Sequence, residues 1–433
     1  MTTHTTQLAI LGGPSAHQRP APKYPPVSDE ACERISAALR SGPAQSLSKG
    51  HPIIAELEQS LARYHDVPHV LAGSSGHGAL HSALIGLEIT GGDEVLTSPY
   101  SWGASVSCIL HNGAVPVFVD VFPDTGLIDP AALEAGLSAH TRAILVPHLY
   151  GQPADMTAIM AFAENHDLVV IEDGSQAHGA KHRGQRIGSF GHAGGFSTNG
   201  VKPLATTEGG YMTTRLSDVY WKATISAQHA GRGELLGRAS EPGFPDSLRG
   251  YIDSLVYTYR PNIVTGLLTL DRLPHLDQEN AARRRNAETF FAAIEGLGSV
   301  SWPSFEDGDE CVYHMVTLNF DRDSAGISRD TYIAALNAEG VPALAYVAKS
   351  LHRSPRLSPD WDGPRVMWTR SIREAGIDLG AQQLPGCEAK VERSTEIPWN
   401  FFREDPELIE SLANAFVKVE ENLEQLREYE RRG

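Results

Sequence analysis

From His69 onward the chain repeats one pattern that limits its fold more than any other feature. Short apolar runs, "HVLAG" (69–73), "DEVLTSP" (93–99), "VPVFVDV" (115–121), "RAILVPH" (142–148) and "LVVIED" (168–173), are separated by stretches of helical spacing. Examples of the latter are "DPAALEAGLSAH" (129–140) and "DMTAIMAFAENH" (155–166). Strands that alternate with helices need crossover connections, so the pattern predicts an α/β fold with a mainly parallel sheet covered on both faces. In such a sheet, ligands bind in the crevice beyond the carboxyl ends of the strands.

The flanking text divides the 433 residues further. Residues 1–25, rich in Pro and polar side chains, read as an N-terminal arm. Helices are predicted over "DEACERISAALRS" (29–41) and "IIAELEQSLARYH" (53–65). The stretch 216–260, rich in Gly, Arg and Pro, reads as irregular, and "RLPHLDQENAARRRNAETFFAAIEGLG" (272–298) as one long helix. Strand candidates follow at "ECVYHMVTLNF" (310–320) and "STEIPW" (394–399). A closing amphipathic helix begins at Asp405, with Leu408, Leu412, Phe416, Val419, Leu423 and Leu426 on one side. These readings place a large α/β domain at 26–265 and a smaller α+β domain at 266–433.

Composition excludes several classes of function. A formal charge of −17 argues against a nucleic-acid partner. No apolar run reaches membrane-spanning length, and the start lacks a signal-peptide pattern. Cys32, Cys108, Cys311 and Cys387 are far apart with no metal-type spacing, which fits reduced thiols and a cytoplasmic location.

Three segments carry chemistry. Asp173 closes an apolar strand and so faces the crevice, although alone it reads equally as a turn former. "LAGSSGHGALHSALIGLEI" (71–89) runs from a strand through small residues into a helix, a turn whose free N–H groups suit an anion. In "GGFSTNGVKPLATTEGGYMTT" (194–214), Lys202 is confined among glycines and small hydroxyl residues. Such an amine can attack a carbonyl and form a Schiff base. Together the phosphate turn, the aspartate and the lysine are the parts of a pyridoxal-phosphate site. Trp102 in "TSPYSWGASVSCIL" follows another strand and could stack on a cofactor ring. Ser197 could add a hydroxyl to the phosphate. His148, His178 and Glu208 read as structural or supporting residues.

In order and spacing, "SSGHGALHSAL", "SPYSWGAS", "VFVDV", "VPHLYGQPADM", "IEDGSQAHGA", "GQRIGSFGHAGGFSTNGVKPLATTEGGYMTT" and "EIPWNFF" resemble the fold-type-I sugar and cyclitol aminotransferases of the DegT/StrS group. The resemblance covers nearly the whole chain. It implies that pyridoxal 5′-phosphate is linked to Lys202, which then moves protons. Asp173 would pair with the ring nitrogen, Gln176 would contact the ring hydroxyl region, and Trp102 would stack on the ring. Gly76, His77 and Ser197 would hold the phosphate. It further implies a homodimer with shared sites, in which Tyr259 and Arg260 of "VYTYRPN" (256–262) reach the neighbouring one.

The chain departs from the family pattern at four places: His77 for a usual Thr, Thr258 for a common Asn, "TNGV" before the lysine, and Tyr211 after the double glycine. Tyr211 is therefore a candidate for the substrate side. The expected reaction moves an amino group from L-glutamate or L-glutamine to the ketone of a cyclitol or nucleotide-linked keto-sugar, in aminoglycoside or aminosugar biosynthesis. The alternatives are an elimination of the aminohydroxybenzoate synthase type and a non-catalytic regulator on the same scaffold.

Overall fold

A computed structural model describes residues 7–41, 50–228, 232, 245–252, 255–305, 308–364 and 366–432. After helices α1 (Asp29–Arg40) and α2 (Pro52–His65), the chain enters β1 (His69–Gly73), α3 (Gly76–Gly86), β2 (Glu94–Thr97), α4 (Ala104–His111) and β3 (Val115–Phe118). Then come β4 (Thr141–Pro147), α5 (Met156–Asn165), β5 (Val169–Asp173), a small hairpin of β6 (Lys181–His182) and β7 (Gln185–Arg186), β8 (Ala193–Ser197), β9 (Gly210–Thr214) and α6 (Ser217–Ala227). Seven strands form one sheet in the order β1-β9-β8-β5-β4-β2-β3. The pairings β2/β3, β2/β4, β4/β5 and β5/β8 are parallel, whereas β9 runs antiparallel to both β8 and β1.

Side-chain alternation explains why both faces are covered. Leu71, Val95, Ala143, Leu145, Ile171, Ala193 and Met212 pack with α3, α4 and α6. Their neighbours on the other face divide between two clusters. Val146 and Val170 join α5, while Val70, Phe196 and Tyr211 join α2 and the helix Ile263–Arg272. With a period of two, apolar residues at consecutive positions place one on each face, so a doubly covered strand reads as an unbroken apolar run.

A second layer surrounds a three-stranded antiparallel sheet of β10 (Val300–Ser301), β11 (Met315–Phe320) and β12 (Ser394–Pro398). The helix Pro406–Glu421 buries Leu408, Leu412, Phe416 and Val419 there, with Leu423 and Leu426 following from the next helix. The arm does not hang free. Leu8 is buried in this second core, and the amides of Ala9 and Ala16 donate to the Glu339 carboxyl group at 2.7 and 2.9 Å.

Three sequence expectations change. Residues 129–140 form only two 3₁₀ turns, Pro130–Ala132 and Glu134–Gly136. The main chain there is pressed onto the sheet: a Cβ on Gly136 would lie 2.9 Å from a Leu96 methyl. The long helix is Leu276–Ile294, separated from Ile263–Arg272 by a 3₁₀ turn at Leu273–His275. Pro274, lacking an N–H, interrupts the ladder there. The stretch read as irregular contains α6, while its residues 229–231, 233–244 and 253–254 lie outside the described residues. Among the described residues no helix is long and apolar enough to cross a membrane.

The fully buried Phe416 ring meets Phe290 edge-on at 5.2 Å. Phe416→Ala should therefore cost about 3–5 kcal/mol, as such truncations do when neighbours cannot close the gap. Urea unfolding should show a lower midpoint at unchanged slope. A cost below about 1 kcal/mol would mean that the surrounding rings collapse into the space.

Candidate active site

Five strands deliver residues to one edge of the large sheet. β1 leads into Ser75, Gly76 and His77; β2 into Ser101 and Trp102; β4 into His148; β5 into Asp173, Ser175 and Gln176; and β8 into Ser197 and the loop bearing Lys202. All of them line one cleft of about 380 Å³. The antiparallel β9 makes this possible. By running antiparallel to both β8 and β1, it leaves those two strands pointing the same way.

The floor of the cleft is built around Asp173. Its Oδ2 accepts from the Ser105 hydroxyl at 2.6 Å and its Oδ1 from the Ser175 amide at 3.1 Å. Ser105 in turn lies 3.0 Å from the Ser101 hydroxyl. Gln176 Oε1 accepts from the Tyr150 amide at 2.8 Å, which fixes its carboxamide at the cleft wall.

At one end, Ser75 caps α3 by accepting from the Gly78 amide at 3.0 Å. The Gly76 and His77 amides belong to the first turn, where no intrahelical acceptor exists. Gly76 could carry no side chain, because a Cβ there would lie 2.5 Å from Ser197 Cβ. The helix start and the Ser197 hydroxyl are thus brought together into a cradle suited to a phosphate.

Lys202 stands in the β8–β9 loop. That loop is closed by Thr198 N to Gly209 O at 2.9 Å and by Thr206 N to Thr198 O at 2.8 Å. Asn199 braces it further. Its carboxamide donates to Glu208 at 2.7 Å, and its main-chain oxygen accepts from the Lys202 amide at 2.9 Å. Burial lowers the Lys202 amine to about 8, against the opposing pull of Asp173. At pH 7 about one such amine in ten is neutral, against roughly one in several thousand for an ordinary lysine.

Seven predicted residues, Gly76, His77, Trp102, Asp173, Gln176, Ser197 and Lys202, therefore meet in this cleft. Three others do not line it. Tyr211 is a correction: it is 1% exposed, stacked on Phe196 at 4.8 Å, with its hydroxyl 3.0 Å from His65 Nε2. Alternation along β9 points it into the core with α2, away from the substrate side. Tyr259 packs beside α3, its hydroxyl 2.9 Å from His81 Nδ1, while Arg260 donates to the Gln228 carbonyl at 3.2 Å.

His148 lines the cleft, with Nδ1 accepting from Ala154 N at 3.0 Å. His178 is wholly buried beneath it, and burial drives its basicity far below the ordinary imidazole value. Sequence reasoning missed Tyr346, a cleft residue whose hydroxyl is 3.4 Å from Gln176 Nε2, and Ser105. Ser105 lies within "SPYSWGAS", where nothing marks its bond to Asp173; Tyr346 sits in a stretch without a recognisable signal and arrives from the second layer, 170 positions after Gln176.

The model of the DegT/DnrJ/EryC1/StrS aminotransferase family matches residues 27–381. The L-glutamine:2-deoxy-scyllo-inosose aminotransferase of Streptoalloteichus tenebrarius is 33% identical over 426 residues, spanning 95% of this chain and 97% of its own length. The enzyme of the same name from Streptomyces paromomycinus is 31% identical over 427 residues, spanning 96% and 98%. Among solved structures, the aminotransferase from Psychrobacter cryohalolentis matches with a TM-score of 0.78 at 27% identity, over 94% of this chain and 100% of that one. With a type I fold and a lysine–aspartate cleft at the sheet edge, the chain belongs to the DegT/DnrJ/EryC1/StrS aminotransferase family.

Proposed function

We propose that this aminotransferase holds pyridoxal 5′-phosphate in the cleft and moves an amino group from L-glutamine or L-glutamate to the ketone of a cyclitol or nucleotide-linked keto-sugar, in aminoglycoside or aminosugar biosynthesis. The observation that carries the reading is the meeting of Lys202, Asp173 and the α3 cradle in one 380 Å³ space. The cyclitol class and the glutamine donor are supported by the names of the two relatives at 33% and 31% identity.

The residues fit the cofactor. The Cβ-free approach of Gly76 to Ser197 and the first-turn amides suit its phosphate. Asp173 would hold a protonated ring nitrogen, Gln176 would meet the ring hydroxyl region, and Trp102 would cover a face. When bound, the cofactor supplies a conjugated ring that takes up the electron pair of a breaking C–H bond.

The rest falls to the protein. Lys202 offers a neutral amine that can bond to a carbonyl carbon and can later take a proton from the donor's α-carbon and return it elsewhere. Ser105 and Ser175 keep the Asp173 oxygens aimed into the cleft, so orientation does not have to be regained in each turnover. In the same reading two copies of the chain form a homodimer, with Tyr259 and Arg260 directed to the partner's cleft.

Incubation of the purified protein with L-glutamine and a panel of keto-cyclitols and keto-sugars, followed by mass spectrometry, should reveal an amine-bearing product. Loss of water without amine transfer would favour the elimination reading instead. Lys202→Ala should abolish transfer, at least about 10³-fold, along with the visible absorption of the lysine-linked cofactor. Retention of both would remove the lysine from its role.

The pH dependence has a definite sign. Below about 8 the Lys202 amine is protonated and has no free electron pair, whereas above it the amine is neutral. The rate at which apoprotein captures pyridoxal phosphate should therefore rise roughly tenfold per pH unit up to about 8 and then level off. A rise continuing to pH 10 would show that the amine is no drier than a surface lysine.

A further inference from the structure

Tyr24, in the segment before α1, reaches the loop that bears Lys202. Its hydroxyl lies 2.7 Å from the Lys202 carbonyl oxygen and 2.5 Å from that of Pro203. A phenol has one proton to give and can also accept. It therefore donates into the Lys202–Pro203 carbonyls while accepting, at 3.4 Å, from Arg272 Nη2.

The surroundings of Tyr24 hold it firmly. Arg272 also donates to Glu279 at 2.6 Å and to Pro26 O at 3.3 Å. The Tyr24 ring has Arg272 at 5.1 Å, Arg283 at 5.4 Å and the Phe402 ring at 5.5 Å. Arginines beside a phenol strengthen its donation, because the partial negative charge left on oxygen is stabilised. One side chain thus joins the arm, the lysine loop, the helices of residues 263–294 and the segment after β12.

We propose that Tyr24 is a positioning residue for the reactive lysine: its hydroxyl pins the main chain at Lys202 and Pro203 and so holds the Lys202 amine in place in the cleft. The proposal rests on the reading of Lys202 as the cofactor lysine. Within the loop, Asn199 secures the amide side of Lys202. Tyr24, 178 positions away, secures its carbonyl side. With both sides fixed, the amine has only its own side-chain torsions with which to leave. Without the hydroxyl, residues 202 and 203 gain freedom and water reaches the amine.

The test compares full-length wild type, Tyr24→Phe, Lys202→Ala and Arg19→Ala. Tyr24→Phe keeps the ring between its arginines and removes only the hydroxyl. Arg19 lies on the same arm but pairs with Glu407 at the surface. In cofactor-free protein, the extent of Lys202 acetylation by acetic anhydride is followed from pH 6 to 10.5 by peptide mass spectrometry. Amine transfer and melting temperature are measured alongside.

For Tyr24→Phe the acetylation midpoint should move upward by about half a pH unit or more, as water relieves the burial of the amine. The transfer kcat should fall about tenfold with the donor KM within about twofold, and the melting temperature should change by only a few degrees. Arg19→Ala should match wild type. An unchanged midpoint and kcat in Tyr24→Phe would overturn the proposal. So would a kcat loss that merely follows a large fall in melting temperature with the midpoint unmoved, or Arg19→Ala behaving like Tyr24→Phe. If Lys202→Ala keeps cofactor and turnover, it is the cofactor-lysine reading that fails, whatever Tyr24 does.

Discussion

One buried carboxyl group, that of Glu172, holds the catalytic edge of the sheet in register. It sits on β5 next to Asp173, is fully buried, and points to the opposite face of the sheet. Its oxygens accept from the amides of Gly188, Phe190 and Gly191 at 2.7, 2.8 and 2.7 Å. The His148 imidazole lies 3.3 Å from the same group. A buried carboxyl group left without donors would cost several kcal/mol, so this one dictates where the 188–191 turn must lie. That turn feeds directly into β8, and β8 sets the height of Ser197 and Lys202. Residues 172 and 173 therefore divide the work: one fixes the incoming strand and the other faces the cleft.

The chemistry follows from how little room that edge leaves. Glycines stand where two backbones close on each other: a Cβ on Gly195 would be 2.6 Å from a Leu80 methyl, and one on Gly210 would be 2.5 Å from the Ser75 carbonyl carbon. Such contacts bring α3 onto β8 and β9 closely enough for its first turn to share a space with Lys202. The same closeness packs the chain around Lys202, and burial is what lowers the lysine's basicity. Reactivity at Lys202 is in this sense a packing property of the sheet. Asp173 alone would act in the opposite direction.

What could be read from the sequence divides along the same physical line. "HVLAG" and "LVVIED" were legible as strands because burial on both faces leaves continuous apolar runs, and the structure has β1 at His69–Gly73 and β5 at Val169–Asp173. The strand-end aspartate, the small-residue turn and the confined lysine were legible because each needs a specific residue type at a chain position fixed by the strand pattern. The Pro130–Gly136 stretch was not, since its helical spacing reflects apolar residues laid on the sheet rather than a helix that could form. Nor was α6, whose β-branched and aromatic residues have modest helix propensity and which gains its stability by packing on α3. Tyr346 reaches the cleft, and Ser105 reaches Asp173, through tertiary contacts that local pattern does not encode.

The four departures from the family pattern take on different weights in the structure. His77 turns its ring toward α4, with Nδ1 3.3 Å from the Ser107 hydroxyl and Nε2 3.0 Å from His111 Nδ1. The cradle at the start of α3 is thus lined by main-chain amides and the Ser197 hydroxyl rather than by the His77 ring. Thr258 has φ +59°, a left-handed conformation that Asn adopts readily and a β-branched residue does not. Tyr211 belongs to the core with His65, and Asn199 of "TNGV" is a loop brace with Glu208. What remains at the mouth is Val201, 58% exposed, and Trp102, 61% exposed, whose ring lies 6.1 Å from that of Tyr346. Val201 and Trp102 are exposed beside the cleft, whereas Tyr346 is tied to Gln176 through its hydroxyl and to Glu396 through its amide. Val201, exposed and with no polar side-chain contact to lose, is thus the residue at the mouth whose replacement least disturbs the lysine and its aspartate.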